Sequence, residues 1–524
     1  MGSQSRRRLL ALALAFLVMY AALAAQLGRW QLWHGFELAT AARQQRLEIV
    51  GGQPARGHIL DRDLEALHRP QWIRAVALFP TLLNDQRGRE ELASILDFSA
   101  AQLAEAVKGA GAPTLYPVAV SEQQIRQIEA AGITGVIPTT ALDRYGPTAL
   151  ARHLVGYTSA SGRGVAGLEA QFDAELSGKL GQPLDLVTTL DARIQAAAER
   201  ALAAQTTHGA AVVVEASTGE LLAAVSLPTF DQSRPELVMG RNDGPLFNRC
   251  LMGQGYTPGS VFKILVAVAA LEEGVVRLDD WFYCSGQVHP KWPACYARDR
   301  GGHGAITFAE AISLSCNSVF IEVGQKLGKT RLLSYARRLG FGELTGTGLG
   351  DESVGFLPDP GRLHGGDLAN LSIGQGQITV TPLQLARAMV AIANGGLLPE
   401  LKLIKGLRNS RSAVLLRKSD PPHRVMSTHT ACALQEALLK TTLSGTGKAA
   451  WVPEFGSAGK TGSAEVYLNG SRSVHAWFAG YVPVRSPRYA IVVFVEEGTA
   501  GGVDAAPVFR AIAEELMSED DAWR

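Results

Sequence analysis

The stretch Pro258–Leu271, PGSVFKILVAVAAL, predicts a helix that is buried on all sides. Its proline-glycine pair is typical of a turn, and after Ser260 the only side chain that is not apolar is Lys263. Gly274 then ends the run as a helix C-cap would. Because a helix that is apolar all round lies inside a large domain, we expect Ser260 at the start of a buried helix. Lys263 should follow one turn later on the same face.

This arrangement suits a serine nucleophile with an amine as its base. The free backbone N–H groups at a helix start can stabilise an oxyanion. Burial disfavours the charged form of lysine, so the Lys263 amine is predicted to accept a proton from Ser260. The alternative is a serine that stands there by chance, with a lysine that reaches solvent along its apolar stem.

Two further motifs follow in order, Ser315-Cys316-Asn317 and Lys460-Thr461-Gly462-Ser463. Ser315 could relay a proton to a leaving group and Asn317 could bind a substrate amide, although for this motif taken alone an ordinary Ser/Asn helix cap is the better explanation. In the third motif, Lys460 and Thr461 are expected on a sheet edge, where they would bind a substrate carboxylate. Gly462 would let the substrate backbone approach closely. The set provides serine acylation without histidine or metal.

A second serine-x-x-lysine pattern, Ser457 to Lys460, overlaps the third motif at Lys460. Glycines stand close on both sides of Lys460, and no apolar helical run follows. This copy is therefore predicted to be the entry into a strand, and context rather than spacing selects Ser260.

Composition allows a large core and excludes some functions. The chain has 524 residues, 19% of them charged, and a net charge of +1, so no nucleic-acid partner is expected. Its five cysteines are too few for a disulfide scaffold and lack paired metal spacing, so no metal and no cofactor is expected. Whether Cys284 and Cys295 form a disulfide is left open by sequence spacing.

The N-terminus has the pattern of a membrane anchor. Three arginines at positions 6–8 precede an uncharged run, Leu9–Leu27, which is long enough to cross the hydrocarbon core. The arginines favour a cytoplasmic N-terminus, and Trp30 and Trp33 suit the far interface. A signal peptide cleaved near Ala22-Leu23-Ala24 is the alternative. In either case the rest of the chain is expected to work outside the cytoplasm.

Residues 28–184 form an irregular region between the anchor and the second half of the chain. The stretch Pro54–Arg62 resembles a short strand with turn residues, and Leu92–Val107 and Ser121–Ala131 have helical apolar spacing. The glycines of Gly162–Gly167 are predicted to be turns rather than a phosphate-binding loop.

From residue 185 the pattern is that of an α/β domain. We predict one sheet, assembled from distant segments and covered by helices. A hairpin is expected around Ser217-Thr218-Gly219. The predicted elements are the strands Leu186–Asp191, Val212–Val214, Leu221–Val225, Ala476–Val482 and Tyr489–Val495 and the helices Ile194–Leu202 and Val508–Leu516.

The three motifs resemble those of the penicillin-binding proteins and serine β-lactamases, and the wider chain resembles a class B penicillin-binding protein over about residues 45–515. Stretches in the family's order carry this resemblance: Pro54–Arg62, Gly164–Glu169, Thr188–Gln195, Ser217–Glu220, Tyr256–Lys263, Gly374–Gly376, Thr381–Gln384 and Trp477–Gly480. The resemblance implies a cytoplasmic tail at 1–8, a transmembrane anchor at 9–27, an irregular α+β pedestal or dimerisation domain at 28–184 and a β-lactamase/D,D-peptidase-like transpeptidase domain at 185–524. That domain would have an antiparallel sheet flanked by helices, and no glycosyltransferase domain is expected before the pedestal.

The resemblance also implies a role for each motif residue. Ser260 would be the nucleophile and Lys263 its base, with Ser315, Asn317 and Lys460 completing the catalytic set. The backbone N–H groups of Ser260 and Ser463 would form the oxyanion hole, and Thr461, Gly462 and Ser463 would bind substrate. The chain departs from the family pattern at Cys316, which stands between the two polar residues of the second motif, and at Ser463, where threonine is commoner.

The function implied is a membrane-anchored D,D-transpeptidase that cross-links peptidoglycan stem peptides and is acylated by β-lactams. A membrane-embedded glycan polymerase is the expected partner, and the bacterial cell membrane the expected location. A β-lactamase or carboxypeptidase is the enzymatic alternative, which the anchor, the pedestal and the 145-residue interval from Ser315 to Lys460 disfavour. The second alternative is a β-lactam sensor or a non-catalytic scaffold. The three intact motifs disfavour a scaffold, and the short N-terminal tail disfavours a sensor.

Overall fold

The structure is a computed structural model of the chain. It describes residues 3–32, 56–80, 82–83, 85–106, 114–116, 120–159, 162–179, 181–241, 244–409, 415–416, 420–468 and 470–519. Trp33, Pro54 and Val107, which the predictions above include, lie outside these residues.

The α-helices are numbered in chain order. They are α1 Ser3–Leu32, α2 Gln86–Ile95, α3 Ala100–Ala106, α4 Glu122–Ala131, α5 Arg152–Val155, α6 Gly167–Gln171, α7 Asp173–Leu176, α8 Ala192–Gln205, α9 Lys263–Glu272, α10 Phe308–Ser313, α11 Asn317–Leu327, α12 Lys329–Arg338, α13 Asp367–Leu371, α14 Pro382–Ala393, α15 Thr428–Leu443 and α16 Ala506–Glu519.

The strands are numbered in the same way. They are β1 Ile59–Leu60, β2 Gln71–Leu78, β3 Thr114–Tyr116, β4 Val136–Asp143, β5 Asp185–Thr188, β6 Gly209–Glu215, β7 Leu221–Leu227, β8 Trp281–Cys284, β9 Gly304–Thr307, β10 Leu397–Leu398, β11 Ile404–Arg408, β12 Leu415–Leu416, β13 His423–Arg424, β14 Ala458–Leu468, β15 Ser471–Val482 and β16 Tyr489–Val495.

Residue contacts divide the chain into two compact units. One unit comprises Met1–Pro54 and Gln71–Asp143, and the other Ala55–Pro70 and Arg144–Arg524. In the second unit β1 pairs in parallel with β5, which brings residues 59–60 beside residues 185–188. The predicted division into 28–184 and 185–524 stays a prediction.

The larger unit is built on a five-stranded sheet in the order β14-β15-β16-β6-β7. Each pair of adjacent strands in this sheet is antiparallel. The strand β16, near the C-terminus, pairs with β6, which lies much earlier in the chain. The structure thus confirms the predicted sheet assembled from distant segments. It also confirms the hairpin, since β6 and β7 flank Ser217-Thr218-Gly219.

Both faces of this sheet are covered, because successive side chains point to opposite sides. On β6, Val212 and Val214 face the core that contains α9 and α14, whereas Ala211 and Val213 face a second core with α8 and α16. Strands buried on both faces are apolar throughout rather than alternating, which is why β6 and β16 are recognisable as strands in the sequence.

The smaller unit contains a three-stranded antiparallel sheet in the order β3-β2-β4. The helix predicted over Ser121–Ala131 is confirmed as α4, which begins with a capping box at Ser121. The prediction of a single helical stretch over Leu92–Val107 is wrong, because the helix is interrupted between the end of α2 and the start of α3. Asp97 lies there with a left-handed φ of 57°, which a helix cannot accommodate.

A buried ionic cluster closes the loops around Glu169, whose side chain has no exposed surface. The Arg56 guanidinium donates to Glu169 Oε2 at 2.7 Å, and Arg144 donates to Oε1. The Tyr145 hydroxyl donates to Oε1 at 3.1 Å. Two of the stretches that resembled the family, Pro54–Arg62 and Gly164–Glu169, therefore meet in this ion pair.

Replacing Glu169 by alanine is expected to lower the free energy of unfolding by about 3–5 kcal/mol, because two guanidinium groups lose their buried counter-charge. The full-length protein in detergent would be unfolded with urea and followed by circular dichroism. Glu514→Ala is the matched control: its ion pair with Arg510 is exposed and is worth only about 0.3–0.5 kcal/mol. Equal losses in the two variants would contradict the structural role of Glu169.

Among the described residues, one helix is both long and apolar enough to cross a membrane. The segment Leu10–Gln31 of α1 has 22 residues and a mean hydropathy of 2.2, and none of the residues in its apolar window is buried. This helix fits the predicted anchor.

Candidate active site

Ser260 lies in a helical turn that leads directly into the buried helix. A 3-10 turn, Gly259–Phe262, precedes α9, and all of α9 from Lys263 to Ala270 is buried. Gly274 has a φ of 61° and follows the helix end as predicted. Ser260 itself is half-buried, and its hydroxyl has no hydrogen-bond partner in the described part of the chain. Its backbone N–H belongs to a helix start, where N–H groups lack partners within the helix.

Lys263 is fully buried and forms hydrogen bonds with both polar residues of the second motif. Its Nζ donates to Asn317 Oδ1 at 2.6 Å, to the Ser315 carbonyl at 2.7 Å and to Ser315 Oγ at 3.2 Å. It also lies 5.5 Å from the centre of the Phe320 ring. Burial lowers the pKa of Lys263 to about 8. The structure therefore joins the first and second motifs through the lysine and makes its neutral form accessible.

The second motif forms a tight turn between α10 and α11. Ser315 has a φ of 54°, a left-handed conformation that is rare for a residue other than glycine. Cys316 is the N-cap residue of α11, and no side-chain cap bond is made there. Instead the Asn317 amide donates to the Ala294 carbonyl at 2.8 Å and accepts from Lys263. The alternative of an ordinary Ser/Asn cap is therefore wrong.

The third motif lies on β14, which is an edge strand of the five-stranded sheet, as predicted. Lys460 is fully buried, and its Nζ donates to the Thr461 carbonyl at 3.1 Å. Burial and the nearby charge of Lys263 lower the pKa of Lys460 well below its usual range. Thr461 and Ser463 lie two apart on the strand and so share a side.

Two residues that sequence reasoning missed hold these hydroxyls. The Thr461 and Thr446 hydroxyls are 2.7 Å apart, and the Gly501 N–H donates to Ser463 Oγ at 3.1 Å. Thr446 lies after α15 and Gly501 in a short π-helical turn before α16. Neither position carries a periodic or motif signal in the sequence.

The strand of the third motif packs directly against the serine turn. A Cβ on Gly462 would lie 2.9 Å from the Pro258 carbonyl and 3.0 Å from Val261, and a Cβ on Gly259 would lie 3.1 Å from the Ala464 nitrogen. Only glycine fits these two contacts. Gly462 was predicted to allow a substrate to approach, and the structure adds a second reason, which is the close packing of β14 on the turn of Ser260.

Gly374 fixes the other side of the serine turn. The Gly259 N–H donates to the Gly374 carbonyl at 2.9 Å. A Cβ on Gly374 would lie 2.0 Å from the Gly259 carbonyl oxygen, and the residue has a φ of 73°. The residue before Pro258 is also fixed, because the Trp477 indole N–H donates to the Thr257 carbonyl at 3.1 Å.

The second serine-x-x-lysine copy behaves as a strand entry, as predicted. Ser457 is fully buried, and its hydroxyl donates to the Ala450 carbonyl at 2.7 Å. Lys460 follows on β14 rather than on a helix. Ser457 is therefore a structural residue outside the site.

Three of the cysteines and one histidine form a cluster in space that the sequence spacing of the cysteines does not indicate. All five thiols are free, so Cys284 and Cys295 form no disulfide here. Their sulfur atoms, the Cys316 sulfur and a His303 ring nitrogen nevertheless lie within 4.8 Å of one another. The four are separated by 11, 8 and 13 residues rather than paired at short intervals, which is why sequence spacing did not indicate the cluster.

Two family descriptions match the chain. The penicillin-binding protein transpeptidase domain matches residues 209–514, and the penicillin-binding protein dimerisation domain matches residues 52–209. The stage V sporulation protein D of Bacillus subtilis is 30% identical, covering 98% of this chain and 86% of that protein. The peptidoglycan D,D-transpeptidase MrdA of Acinetobacter baumannii is 32% identical over 62% of this chain and 53% of its own length.

Solved structures give the same result. Penicillin-binding protein 3 of Mycobacterium tuberculosis in complex with aztreonam is 27% identical, with a TM-score of 0.67 over 89% of this chain and 96% of that chain. The ceftriaxone acyl-enzyme complex of penicillin-binding protein A from M. tuberculosis is 28% identical, with a TM-score of 0.60 over 67% of this chain and 88% of that one.

Proposed function

The chain belongs to the class B penicillin-binding proteins and is a peptidoglycan D,D-transpeptidase, and we propose that Ser260 is the serine that becomes acylated. The observation that carries this assignment is the contact of Lys263, one turn after Ser260, with both polar residues of the second motif. A serine at a helix start beside a buried amine has the parts that nucleophilic catalysis requires.

In the proposed acylation step, Ser260 Oγ attacks the carbonyl carbon of the D-Ala-D-Ala peptide bond. Lys263 takes the hydroxyl proton, and the backbone N–H groups of Ser260 and Ser463 stabilise the oxyanion. The carbon–nitrogen bond then breaks, and the leaving D-alanine takes a proton relayed through Ser315. The terminal carboxylate lies beside Lys460, Thr461 and Ser463.

The second step transfers the acyl group to the acceptor strand. An amine of a neighbouring stem peptide attacks the acyl-serine carbonyl, the Lys263 amine takes its proton and passes it to Ser260 Oγ, and the carbon–oxygen bond breaks so that Ser260 leaves as the free hydroxyl. Asn317 binds the amide of the donor peptide, and the close packing at Gly462 holds β14 in place for it. β-Lactams acylate Ser260 in the same way.

Transfer to an amine rather than to water distinguishes this enzyme from a β-lactamase or a carboxypeptidase. The test incubates the full-length protein with a D-Ala-D-Ala donor peptide and an amine acceptor and separates the products by mass spectrometry. We expect a cross-linked peptide together with released D-alanine, and a penicilloyl-enzyme that persists. Rapid release of hydrolysed penicillin without cross-linking would contradict the proposal, and absence of any acyl-enzyme would favour a scaffold.

The proposed base predicts a pH dependence. A lysine with a pKa of about 8 is neutral in about one molecule in ten at pH 7, against roughly one in three thousand for an unperturbed lysine. Because only the neutral amine accepts the Ser260 proton, the acylation rate constant should rise about tenfold per pH unit below about 8 and level off above it. Stopped-flow measurements with a chromogenic cephalosporin at constant ionic strength give the acylation rate constant at each pH. A flat profile between pH 6 and pH 8 would exclude Lys263 as the titrating base.

Gly374→Ala is expected to reduce the acylation rate by about 10²-fold, because its Cβ would push the Gly259 carbonyl and with it the nucleophile. Gly376→Ala is the matched control. It has a similar φ of 85°, but its Cβ would meet nothing closer than Asn370 at 3.5 Å. Both variants strain the backbone, so only a selective loss in Gly374→Ala, measured by fluorescent penicillin labelling, supports the role of Gly374 in placing Ser260.

We also propose how the chain is organised around this domain. Residues 1–8 would be cytoplasmic, 9–27 would anchor the protein in the bacterial cell membrane, 28–184 would form the pedestal and 185–524 the transpeptidase domain outside the membrane. A membrane-embedded glycan polymerase would bind through the anchor and pedestal. The apolar helix Leu10–Gln31 and the family matches support this organisation. Co-purification with a polymerase, lost when the anchor is exchanged for an unrelated one, tests it.

A further inference from the structure

Three of the five cysteines converge on one point beside the second motif. Cys284 ends β8, Cys295 lies in the loop that follows, and Cys316 directly precedes α11. The sulfur atoms of Cys284 and Cys316 have no exposed surface around them, since both residues are 0% exposed, and Cys295 is 2% exposed. His303 directly precedes β9 at the register position beside Cys284, because Cys284 pairs with Gly304.

The distances in this cluster match those between the ligands of a tetrahedral zinc ion. Zinc–sulfur bonds of about 2.3 Å in a tetrahedron put two sulfurs about 3.8 Å apart. The Cys295 and Cys316 sulfurs are 3.9 Å apart, and the Cys295 sulfur is 3.5 Å from His303 Nδ1. All four donor atoms lie within 4.8 Å of one another. A disulfide would require about 2.05 Å.

We infer that Cys284, Cys295, Cys316 and His303 bind one structural zinc ion. Three thiolates and one imidazole are a donor set that favours zinc over magnesium or calcium, which prefer oxygen. Binding forms three zinc–sulfur bonds and one zinc–nitrogen bond and releases the thiol protons to solvent, so that no oxidant is needed. With four protein ligands the site is closed, which is typical of a structural rather than a catalytic zinc.

The ion would act through the turn of the second motif. Cys316 stands between Ser315 and Asn317, and both of these contact Lys263 Nζ. Asn317 is also tied to Ala294, the neighbour of Cys295. A metal bound to Cys295 and Cys316 therefore clamps the loop 284–303 to the left-handed turn at Ser315. The four ligands are positioning residues, since the metal touches neither the nucleophile nor its base.

The test begins with the metal content of the full-length protein, purified in detergent without a polyhistidine tag and without chelator. We expect one zinc per chain by elemental mass spectrometry in the wild type. Cys295→Ala and Cys316→Ala should each bind less than a tenth of an equivalent after dialysis. Cys250→Ala and Cys432→Ala are the matched controls, because these cysteines lie outside the cluster, and they should keep the full equivalent.

A second measurement on the wild type separates coordination from misfolding. Replacement of the ion by Co²⁺ should produce thiolate-to-cobalt charge-transfer absorption and the intense visible bands of tetrahedral cobalt, unchanged in Cys432→Ala. Removal of the metal with a chelator should slow fluorescent penicillin labelling by about 10²-fold, and added Zn²⁺ should restore it. The metal content does not depend on acylation, so this inference and the proposed function fail separately.

Three results would overturn the inference. The first is a folded, penicillin-reactive wild type with less than a tenth of an equivalent of zinc and no cobalt spectrum. The second is a Cys295–Cys316 disulfide found by mass spectrometry in that protein. The third is zinc that is retained equally in Cys316→Ala and the wild type.

Discussion

Ser260→Ala is expected to abolish covalent labelling by fluorescent penicillin, with a loss of acylation rate on the order of 10⁴ or more, because it removes the oxygen that we propose forms the acyl bond. The substitution removes one half-buried oxygen that has no hydrogen-bond partner among the described residues. The folded state should therefore be unaffected. Labelling of the full-length protein is followed by gel fluorescence over time, with melting temperature measured in parallel.

Ser457→Ala provides the matched control, since it removes the serine of the other serine-x-x-lysine copy. This variant loses a buried hydrogen bond to the Ala450 carbonyl, which costs about 1 kcal/mol of stability. Labelling should stay at the wild-type level. If instead Ser457→Ala stops labelling and Ser260→Ala does not, the assignment of the nucleophile is wrong.

The second large effect is expected at Lys263. Lys263→Met keeps most of the buried volume and removes the proposed base, so the acylation rate should fall by a factor on the order of 10³. The substitution also leaves the Ser315 carbonyl and Asn317 Oδ1 without their donor, which costs about 1–3 kcal/mol. Rates must therefore be compared on protein that is folded by circular dichroism, and the pH dependence expected near pH 8 should disappear with the lysine.

Lys326→Met is the control for loss of a lysine from the same region. Lys326 is exposed on α11 and lies over the Phe282 ring at 5.2 Å, away from the contacts of Lys263. Its acylation rate should equal that of the wild type. Equal rates in Lys263→Met and Lys326→Met would show that Lys263 is not the base.

The helix α9, which follows Ser260, could be predicted because its sequence has few other stable solutions. A helix that is apolar on all sides except for one lysine is stable only when it is buried. Gly274, with a φ of 61°, follows the end of this helix. The strands β6 and β16 were predictable for the same reason, since both faces are covered. Ser457 was correctly set aside because the glycines around Lys460 favour a strand over a helix.

Other parts of the site depend on tertiary contacts that sequence patterns do not record. The partners Thr446 and Gly501 of the third motif come from loops without periodicity. The four donors of the cysteine cluster are separated by 11, 8 and 13 residues, so no short motif contains them. The break at Asp97 was also hidden, because apolar spacing continues across it.

The left-handed backbone at Ser315 has a consequence for the evolution of the chain. Glycine adopts this φ without penalty, whereas serine loses about 1 kcal/mol or more there. A glycine at this position would relieve that strain, but it would also remove the hydroxyl that accepts a hydrogen bond from Lys263 Nζ. In the proposed mechanism, serine at this position keeps the proton relay at the cost of backbone strain, which leaves less stability to offset other destabilising mutations.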